Sequence, residues 1–195
     1  MKKKLKLTFN SPLVLCFAIL CTLVTLIGAL TDKRSTYLLF STGGTNFADP
    51  LTYLRLFTHV LGHADAAHLV GNMAYILLLG PALEERYGAK NLLIIILATA
   101  LITGLVHNLI FPNTYLLGAS GVVFAFILLT SFTEFREGEI PLTVILVAAI
   151  YLGQQIWEGV TQKDNVSNLT HIIGGLVGGG AGYLLNRGKG KKGRF

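Results

Sequence analysis

Long runs of apolar residues alternate along the chain with short blocks of polar and charged ones. A helix needs roughly 20 apolar residues to cross the hydrocarbon core of a bilayer, because unpaired backbone groups are not tolerated there. Six runs approach that length and predict membrane-spanning helices at about 12–30, 67–83, 90–111, 117–133, 140–157 and 168–186. No internal repeat or linker divides the chain. We therefore expect an all-α membrane protein that forms a single domain over residues 1–195.

The first apolar run follows a lysine-rich start, as the core of a secretion signal does. The run at 12–30 is longer than a signal core of roughly 7–15 residues, and no small-x-small cleavage site follows it. We therefore expect a retained span. The stretch 31–67 is then a long first outer loop, and its apolar segments 37–40 and 51–54 suit the membrane interface.

Composition and charge narrow the class of protein. Only 13% of the residues are charged, against about 25% in soluble domains, and 52% are hydrophobic. These values exclude a soluble enzyme and a disordered chain. The net charge of +6 is concentrated in basic clusters at the two ends, without interleaved aromatic residues. This pattern is typical of membrane orientation rather than of nucleic-acid binding.

The distribution of basic residues predicts the orientation. If the N-terminus is cytoplasmic, twelve of the 16 Lys and Arg residues lie on the cytoplasmic side, in the two tails and the two inner loops. Cytoplasmic segments carry such an excess of positive charge. We therefore expect both termini in the cytoplasm, which an even number of spans also requires.

Four polar residues lie near the starts of the even-numbered predicted spans. They are His68 and Asn72 in the second, Ser120 in the fourth and His171 in the sixth. Polar side chains inside a membrane are costly, so each is a candidate functional residue. The even-numbered spans all enter from the outer face. The sequence therefore predicts these four side chains at a similar depth, close to that face.

These residue types together are the components of an acyl-transfer site. A serine hydroxyl becomes an effective nucleophile when a neutral histidine takes its proton. Amide, imidazole and backbone N–H groups stabilise the oxyanion that forms. Gly118 and Gly121 flank Ser120 and permit close approach of another helix. A stripe of small residues in the sixth span is expected to bring His171 against the fourth; it consists of Gly174, Gly178 and Gly182.

Other functions remain open on these residues alone. Each motif is common in ordinary helix packing, but a simple membrane anchor does not explain the shared depth of the four side chains. A transporter or channel would place polar residues along the full depth, whereas the polar residues here, including His107 and Asn108, lie mostly near the outer face. These considerations favour a hydrolytic site.

A zinc site is a further alternative. His59, His63 and His68 with Asp65 are possible ligands, but the pattern fixes neither a supporting carboxylate nor an open coordination position. Cys16 and Cys21 lie within the first apolar run, where packing is the expected role. We therefore expect no metal and no cofactor.

The same residues resemble the motifs of the rhomboid family of intramembrane serine proteases, over about residues 50–186. The matching elements are His59, His63, His68 and Asn72, then Glu84 and Arg86, then Gly118-Ala119-Ser120-Gly121, then His171 with Gly174. The resemblance implies a six-helix bundle whose water-filled cavity opens to the outer side. It implies Ser120 as the nucleophile, His171 as the general base, and His68, Asn72 and the Ser120 backbone as oxyanion donors.

The resemblance also implies roles for residues around the site. Arg55 resembles an arginine of the first loop, and Glu84 and Arg86 resemble residues that cap the second and third helices. His59 and His63 would hold the loop by hydrogen bonds. The fifth span, with Gly153, Gln154 and Gln155, would be the lateral gate. Three residues depart from the family pattern, namely Leu54 for Trp, Phe124 for Tyr and Thr170 for Ala.

The function implied is endoproteolysis of transmembrane helices near the outer face of a membrane. Substrates would be membrane proteins with helix-weakening residues near the cut and a small residue just before it. The short tails indicate a minimal bacterial-type core in the inner membrane. The alternative within the family is an inactive relative that binds client helices, although such relatives typically lack the serine or the histidine.

Overall fold

The computed structural model describes residues 8–44, 46–133, 139–161 and 165–187. Within these ranges the chain forms eight α-helices, one 3₁₀ turn and two short strands. They are α1 (Pro12–Leu30), α2 (Arg34–Leu39), β1 (Thr42–Gly43), α3 (Pro50–Thr58), the 3₁₀ turn His59–Leu61, α4 (Ala66–Tyr87), α5 (Ala89–Ile110), β2 (Tyr115–Leu116), α6 (Ser120–Ser131), α7 (Leu142–Thr161) and α8 (Asn165–Asn186).

Three of these helices, α1, α4 and α5, are long and apolar enough to cross a membrane within the described part of the chain. Helix α6 is equally apolar but only 12 residues long, and α7 and α8 have 20 and 22 residues. Large apolar side chains are exposed on the outside of the bundle, for example Leu78 and Leu109, each at 71%. Such an apolar surface is suited to contact with lipid rather than with water. The chain is a multi-pass membrane protein.

The predicted element bounds need correction in several places. Helix α4 continues to Tyr87 rather than ending at 83, and α7 spans Leu142–Thr161 rather than 140–157. Helix α6 begins at Ser120 rather than 117, because Gly118 has φ +123°, which a right-handed helix does not admit. Helix α8 begins at Asn165, so His171 lies in its second turn instead of near its start. The predicted outer loop 31–67 contains α2, α3 and the 3₁₀ turn, and its strand β1 pairs antiparallel with β2, which the sequence pattern did not indicate.

The glycine stripe of α8 packs against α6, as predicted. A Cβ added at Gly174 would lie 2.9 Å from Gly121 Cα, and one at Gly178 would lie 2.6 Å from the carbonyl carbon of Ala125. The stripe therefore lets the two backbones approach more closely than any side chain permits. The expected partner Gly118 is not part of this contact, because it faces α4.

The resemblance implied that Glu84 and Arg86 cap the second and third helices. The structure gives both side chains other partners. The Glu84 carboxylate accepts hydrogen bonds from the N–H groups of Leu13 and Val14, at 3.1 and 3.0 Å, and so caps the start of α1. Arg86 Nη2 donates to the Thr133 carbonyl at 2.7 Å, just beyond the end of α6. Both residues therefore connect α4 to other helices. Contacts of this kind cannot be predicted from the local sequence.

Arg55 holds together residues 31–65, between α1 and α4, which are called the outer segment after their predicted side of the membrane. Its Nη1 lies 3.2 Å from Asp49 Oδ2, and its Nε donates to the Leu38 carbonyl at 2.6 Å. Thr58 donates to the next carbonyl, that of Leu39. Side chains of α3 thus satisfy carbonyl groups at the end of the six-residue helix α2, which is too short to be stable alone.

Candidate functional site

All four residues predicted for the site line one cavity of about 520 Å³. His68 and Asn72 come from α4, Ser120 from α6 and His171 from α8. Residues of α7 complete the wall. The remaining lining residues are Ala67, Gly71, Tyr75, Val123, Phe124, Ile127, Val147 and Ile150. The fold therefore brings together side chains that are up to 103 positions apart in the sequence.

Ser120 is the first residue of α6 and is half-buried. The first N–H groups of a helix have no acceptor inside the helix, and the helix dipole adds partial positive charge at this end. The Ser120 hydroxyl therefore lies beside backbone donors that can stabilise a negative charge.

The two residues before Ser120 are held by the outer segment. The Gly118 N–H donates to the His59 carbonyl at 2.9 Å, and the Ala119 N–H donates to His63 Nε2 at 3.5 Å. His63 Nδ1 lies 3.2 Å from the Leu61 carbonyl, so this nitrogen carries the proton and Nε2 is the acceptor. The hydrogen bonds attach the start of α6 to the segment that precedes α4.

His59 and His63 are both neutral at ordinary pH. Burial lowers the pKa of His59 to about 4, and burial together with the nearby His68 imidazole lowers the pKa of His63 to about 4. His59 is 1% exposed, and its Nε2 donates to the Ala100 carbonyl of α5 at 3.0 Å. Gly104 leaves the necessary space, since a Cβ there would lie 3.3 Å from this nitrogen.

The possible zinc ligands do not form a metal-binding group. The His59 ring is directed at α5, and the rings of His63 and His68 meet edge to face with centroids 5.0 Å apart. Among the described residues, no three His, Cys, Asp or Glu side chains are close enough to hold an ion together. The three histidines instead connect the outer segment, α5 and the start of α6.

His68 is placed by the cap of α4. Asp65 Oδ1 accepts the His68 N–H at 2.8 Å, and His68 Nδ1 accepts the Ala64 N–H at 3.5 Å. The second bond puts the imidazole proton on Nε2. That nitrogen faces Gly118, where an added Cβ would lie 2.8 Å from it. With φ at +123°, this position requires glycine for conformation as well as for space.

Asn72 presents a donor to the same place. The residue is 7% exposed, and its Nδ2 has no hydrogen-bond partner among the residues that the structure describes. A Cβ at position 118 would lie 3.8 Å from this nitrogen. A buried amide without a partner is costly, so a water, a ligand or a reacting atom is needed to complete its hydrogen bond.

The His171 imidazole packs on Phe124, with ring centroids 4.4 Å apart and planes at 41°. An aromatic ring thus supports the imidazole, although Phe124 stands where the family pattern has Tyr. Phe124 lies one turn after Ser120 on α6, so the same helix carries the hydroxyl and the surface that supports the imidazole. Thr170 packs beside Gly121, with its Cγ2 3.5 Å from where a Cβ at position 121 would lie.

Sequence reasoning missed the apolar part of the cavity. Tyr75 follows His68 by seven positions on α4, and Ile127 follows Ser120 by seven on α6. This helical spacing could have indicated that they share a face with the polar residues. Of the predicted gate, Gly153 is exposed, whereas the side chains of Gln154 and Gln155 lie outside the described residues.

The sequence of the chain also matches known proteins. A family model described as the rhomboid domain matches residues 50–188. The chain is also 31% identical over 157 residues to rhomboid-related protein 2 of Mus musculus, a match that covers 70% of this chain and 52% of the mouse protein. The chain thus spans about half the length of that relative. The matched region contains α3 to α8 and every cavity-lining residue, and on this ground the chain belongs to the rhomboid family.

Proposed function

We propose that this protein is an intramembrane serine endopeptidase that cuts transmembrane helices of membrane proteins near the outer face. The observation that carries the proposal is the single cavity lined by Ser120, His171, His68 and Asn72. Membership of a family that includes serine proteases supports it. No metal or cofactor is needed for this chemistry.

In the proposed reaction Ser120 is the nucleophile and His171 the general base. The hydroxyl oxygen attacks the scissile carbonyl carbon while the imidazole takes its proton. The imidazolium then gives that proton to the leaving amine, and an acyl-enzyme ester remains. Water, deprotonated by the same imidazole, hydrolyses the ester and releases Ser120.

The oxyanion would be stabilised by donors from two helices. Asn72 Nδ2 and His68 Nε2 both face the position of Gly118, immediately before the nucleophile. The Ser120 N–H at the start of α6 is the third donor. Such donors are most effective when they are fixed before the reaction and shielded from bulk water.

The membrane setting dictates the form of the substrate. A formed helix hides its carbonyl groups in internal hydrogen bonds, so the segment to be cut has to unwind near the site. Val147 and Ile150 of α7 line the cavity, which makes α7 the side from which a substrate helix would approach. Cross-linking α4 to α7 is therefore expected to prevent cleavage of a membrane substrate.

The proposed topology has six spans, formed by α1, α4, α5, α6, α7 and α8, with both termini in the cytoplasm. A single domain then covers residues 1–195 in the inner membrane of a bacterium. In this arrangement the starts of α4 and α6 face the outer side, and so does the polar end of the cavity. Apart from Arg187, the basic residues of the tails that indicate this orientation lie outside the described residues.

The direct test is cleavage by the purified protein. The parent chain, Ser120→Ala and His171→Ala are each incubated with a labelled single-span substrate, and the products are identified by mass. The proposal expects cleavage by the parent and none above background by either variant. Equal cleavage by a variant would contradict the assignment of that residue. A folded parent that binds but cuts no substrate would instead indicate an inactive relative.

A further inference from the structure

A second cavity, of about 750 Å³, lies along α4 at the end remote from Ser120. Six of its eight lining residues belong to α4. The other two are Asn10, which precedes α1, and Ala89, the first residue of α5. We call this cavity the α4 groove. It shares none of the described residues with the cavity of Ser120, and the proposed topology places it at the inner face of the membrane.

The α4 groove is apolar at one end and polar at the other. Its apolar end is formed by Leu77 and Leu78, which are 44% and 71% exposed, and the small Ala82 leaves room beside them. Glu85 follows Leu78 by seven residues, which places it roughly 10 Å further along the helix axis. Such a change from apolar to polar surface matches the boundary between the acyl chains and the headgroups of a bilayer.

The polar end of the groove carries negative charge. Glu84 is buried, and each of its carboxylate oxygens already accepts an N–H group of α1. Glu85 is exposed and forms no ion pair with any residue that the structure describes. A carboxylate at the membrane surface without a counterion favours a cationic group that can donate hydrogen bonds to it.

The same end of the groove also offers positive charge. Ala89 begins α5, a helix of 22 residues whose cap is Gly88, so no side chain caps it, and whose first turn contains no acidic residue. Lys90 follows and is exposed. The first N–H groups and the dipole of a helix favour an anion. Because both signs of charge border one groove, a zwitterionic group fits it better than a simple cation or anion.

We propose that the α4 groove binds a phospholipid of the inner leaflet whose headgroup carries a primary ammonium, as phosphatidylethanolamine does. The ammonium contacts Glu85, the phosphate lies at the start of α5 near Lys90, and an acyl chain covers Leu77 and Leu78. A primary ammonium donates hydrogen bonds to a carboxylate, whereas the trimethylammonium of phosphatidylcholine has no N–H group to donate. This lipid site goes beyond the proposed function and does not depend on catalysis.

The test measures lipid binding to the purified full chain by mass spectrometry that preserves non-covalent complexes. Phosphatidylethanolamine, phosphatidylcholine and phosphatidylglycerol with identical acyl chains are added in turn. The parent is expected to bind the first about tenfold more tightly than the second, the scale of one charge-assisted hydrogen bond, and the anionic third most weakly. Glu85→Gln is expected to lose the preference. Glu139→Gln, an exposed carboxylate before α7 on the same predicted side, is the matched control and is expected to keep it.

Two more variants separate the other parts of the site. Lys90→Gln is expected to weaken binding of phosphatidylethanolamine and phosphatidylcholine alike, because both lipids carry the phosphate, and to leave their ratio unchanged. Ala82→Phe fills the apolar end and is expected to weaken binding of all three lipids. Ala74→Phe adds the same ring to an exposed position of α4 outside the groove, and it should bind lipid as the parent does.

The outcomes distinguish this site from the proposed function. Equal binding of phosphatidylethanolamine and phosphatidylcholine by the parent would overturn the site, as would a folded Glu85→Gln that keeps the preference. Tightest binding of phosphatidylglycerol would show that basic residues select the lipid, and would also overturn it. The same samples are treated with a fluorophosphonate. A parent that does not react at Ser120 would contradict the proposed function while the lipid preference, read by mass, still confirms or overturns the groove.

Discussion

The amide of Asn72 is buried, faces the residue before Ser120 and lacks a partner among the described residues. Asn72→Ala is expected to lower kcat by about 10²–10³-fold, equivalent to roughly 2.7–4 kcal/mol, as loss of one oxyanion donor does. Cleavage of the single-span substrate measures this effect. Asn113→Ala, on the exposed loop after α5, is the control and should leave kcat unchanged. A kcat for Asn72→Ala equal to that of the parent would remove this residue from the oxyanion site.

The neutral histidines of the outer segment predict a pH dependence of stability. His59 and His63 have pKa values of about 4 in the folded protein and an ordinary value of 6.5 when unfolded. Between these values the unfolded chain binds more protons than the folded one. The free energy of unfolding is therefore expected to be fully developed above about pH 6.5 and to fall as the pH decreases towards 4.

The variant His63→Gln tests this dependence. Glutamine does not titrate, and its Oε1 can accept the Ala119 N–H that His63 Nε2 accepts in the parent. Unfolding in detergent, measured at several values between about pH 7 and pH 4.5, should show a shallower pH slope for His63→Gln than for the parent. Equal slopes would mean that His63 has similar pKa values in the two states.

At the scale of residues, the site could be predicted where a polar side chain stands in an apolar segment, because burying a polar group is costly. His68, Asn72, Ser120 and His171 are polar side chains inside apolar runs, and that contrast can be read from the sequence. The role of Gly118 could not, because it depends on a positive φ and on the approach of His68 from another helix. The same holds for Glu84, whose carboxylate reaches the start of α1 across 70 positions.

At the scale of elements, α6 carries Ser120, α8 carries His171, and the two helices pack directly against each other. Gly178→Ala would place a Cβ 2.6 Å from the carbonyl carbon of Ala125. The two backbones would have to separate, and overpacking of this kind costs about 1–3 kcal/mol. We therefore expect Gly178→Ala to lower both the stability in detergent and the rate of cleavage.

Gly180→Ala is the matched control, since it adds the same methyl group to the same helix where nothing lies within 4 Å. It is expected to be as stable as the parent or slightly more stable, because alanine favours helix more than glycine does. Equal effects of the two substitutions would show that helix propensity, rather than the contact with α6, determines the outcome.

Element bounds were predictable where composition alone decides them. The bounds of α1 coincide with the predicted run 12–30. Pro12 is the first residue of this helix, a position that tolerates proline. Helix α6 starts three residues later than predicted because Gly118 interrupts the helical backbone. The pairing of Thr42–Gly43 with Tyr115–Leu116 joins two segments 72 positions apart, and two-residue strands have no sequence pattern of their own.

At the scale of the molecule, three layers of contact converge on one cavity. The outer segment holds Gly118 and Ala119, α4 contributes the donors, and α6 and α8 carry the hydroxyl and the imidazole. Long apolar runs predicted the helices, and the distribution of positive charge predicted their orientation. These elements come together at the cavity through packing between helices that are distant in the sequence. The sequence indicated only that the four site residues share a depth near the outer face.

The central claim is that Ser120 is a nucleophile activated by His171, and labelling by a fluorophosphonate tests it most directly. The parent, Ser120→Ala, His171→Ala and the control Ser131→Ala, which alters the other serine of α6, are treated alike, and adducts are located by mass spectrometry of peptides. We expect one adduct on Ser120 in the parent and in Ser131→Ala, none in Ser120→Ala and a greatly reduced rate in His171→Ala. An adduct on another residue, or labelling of Ser120 at the parent rate without His171, would contradict the account.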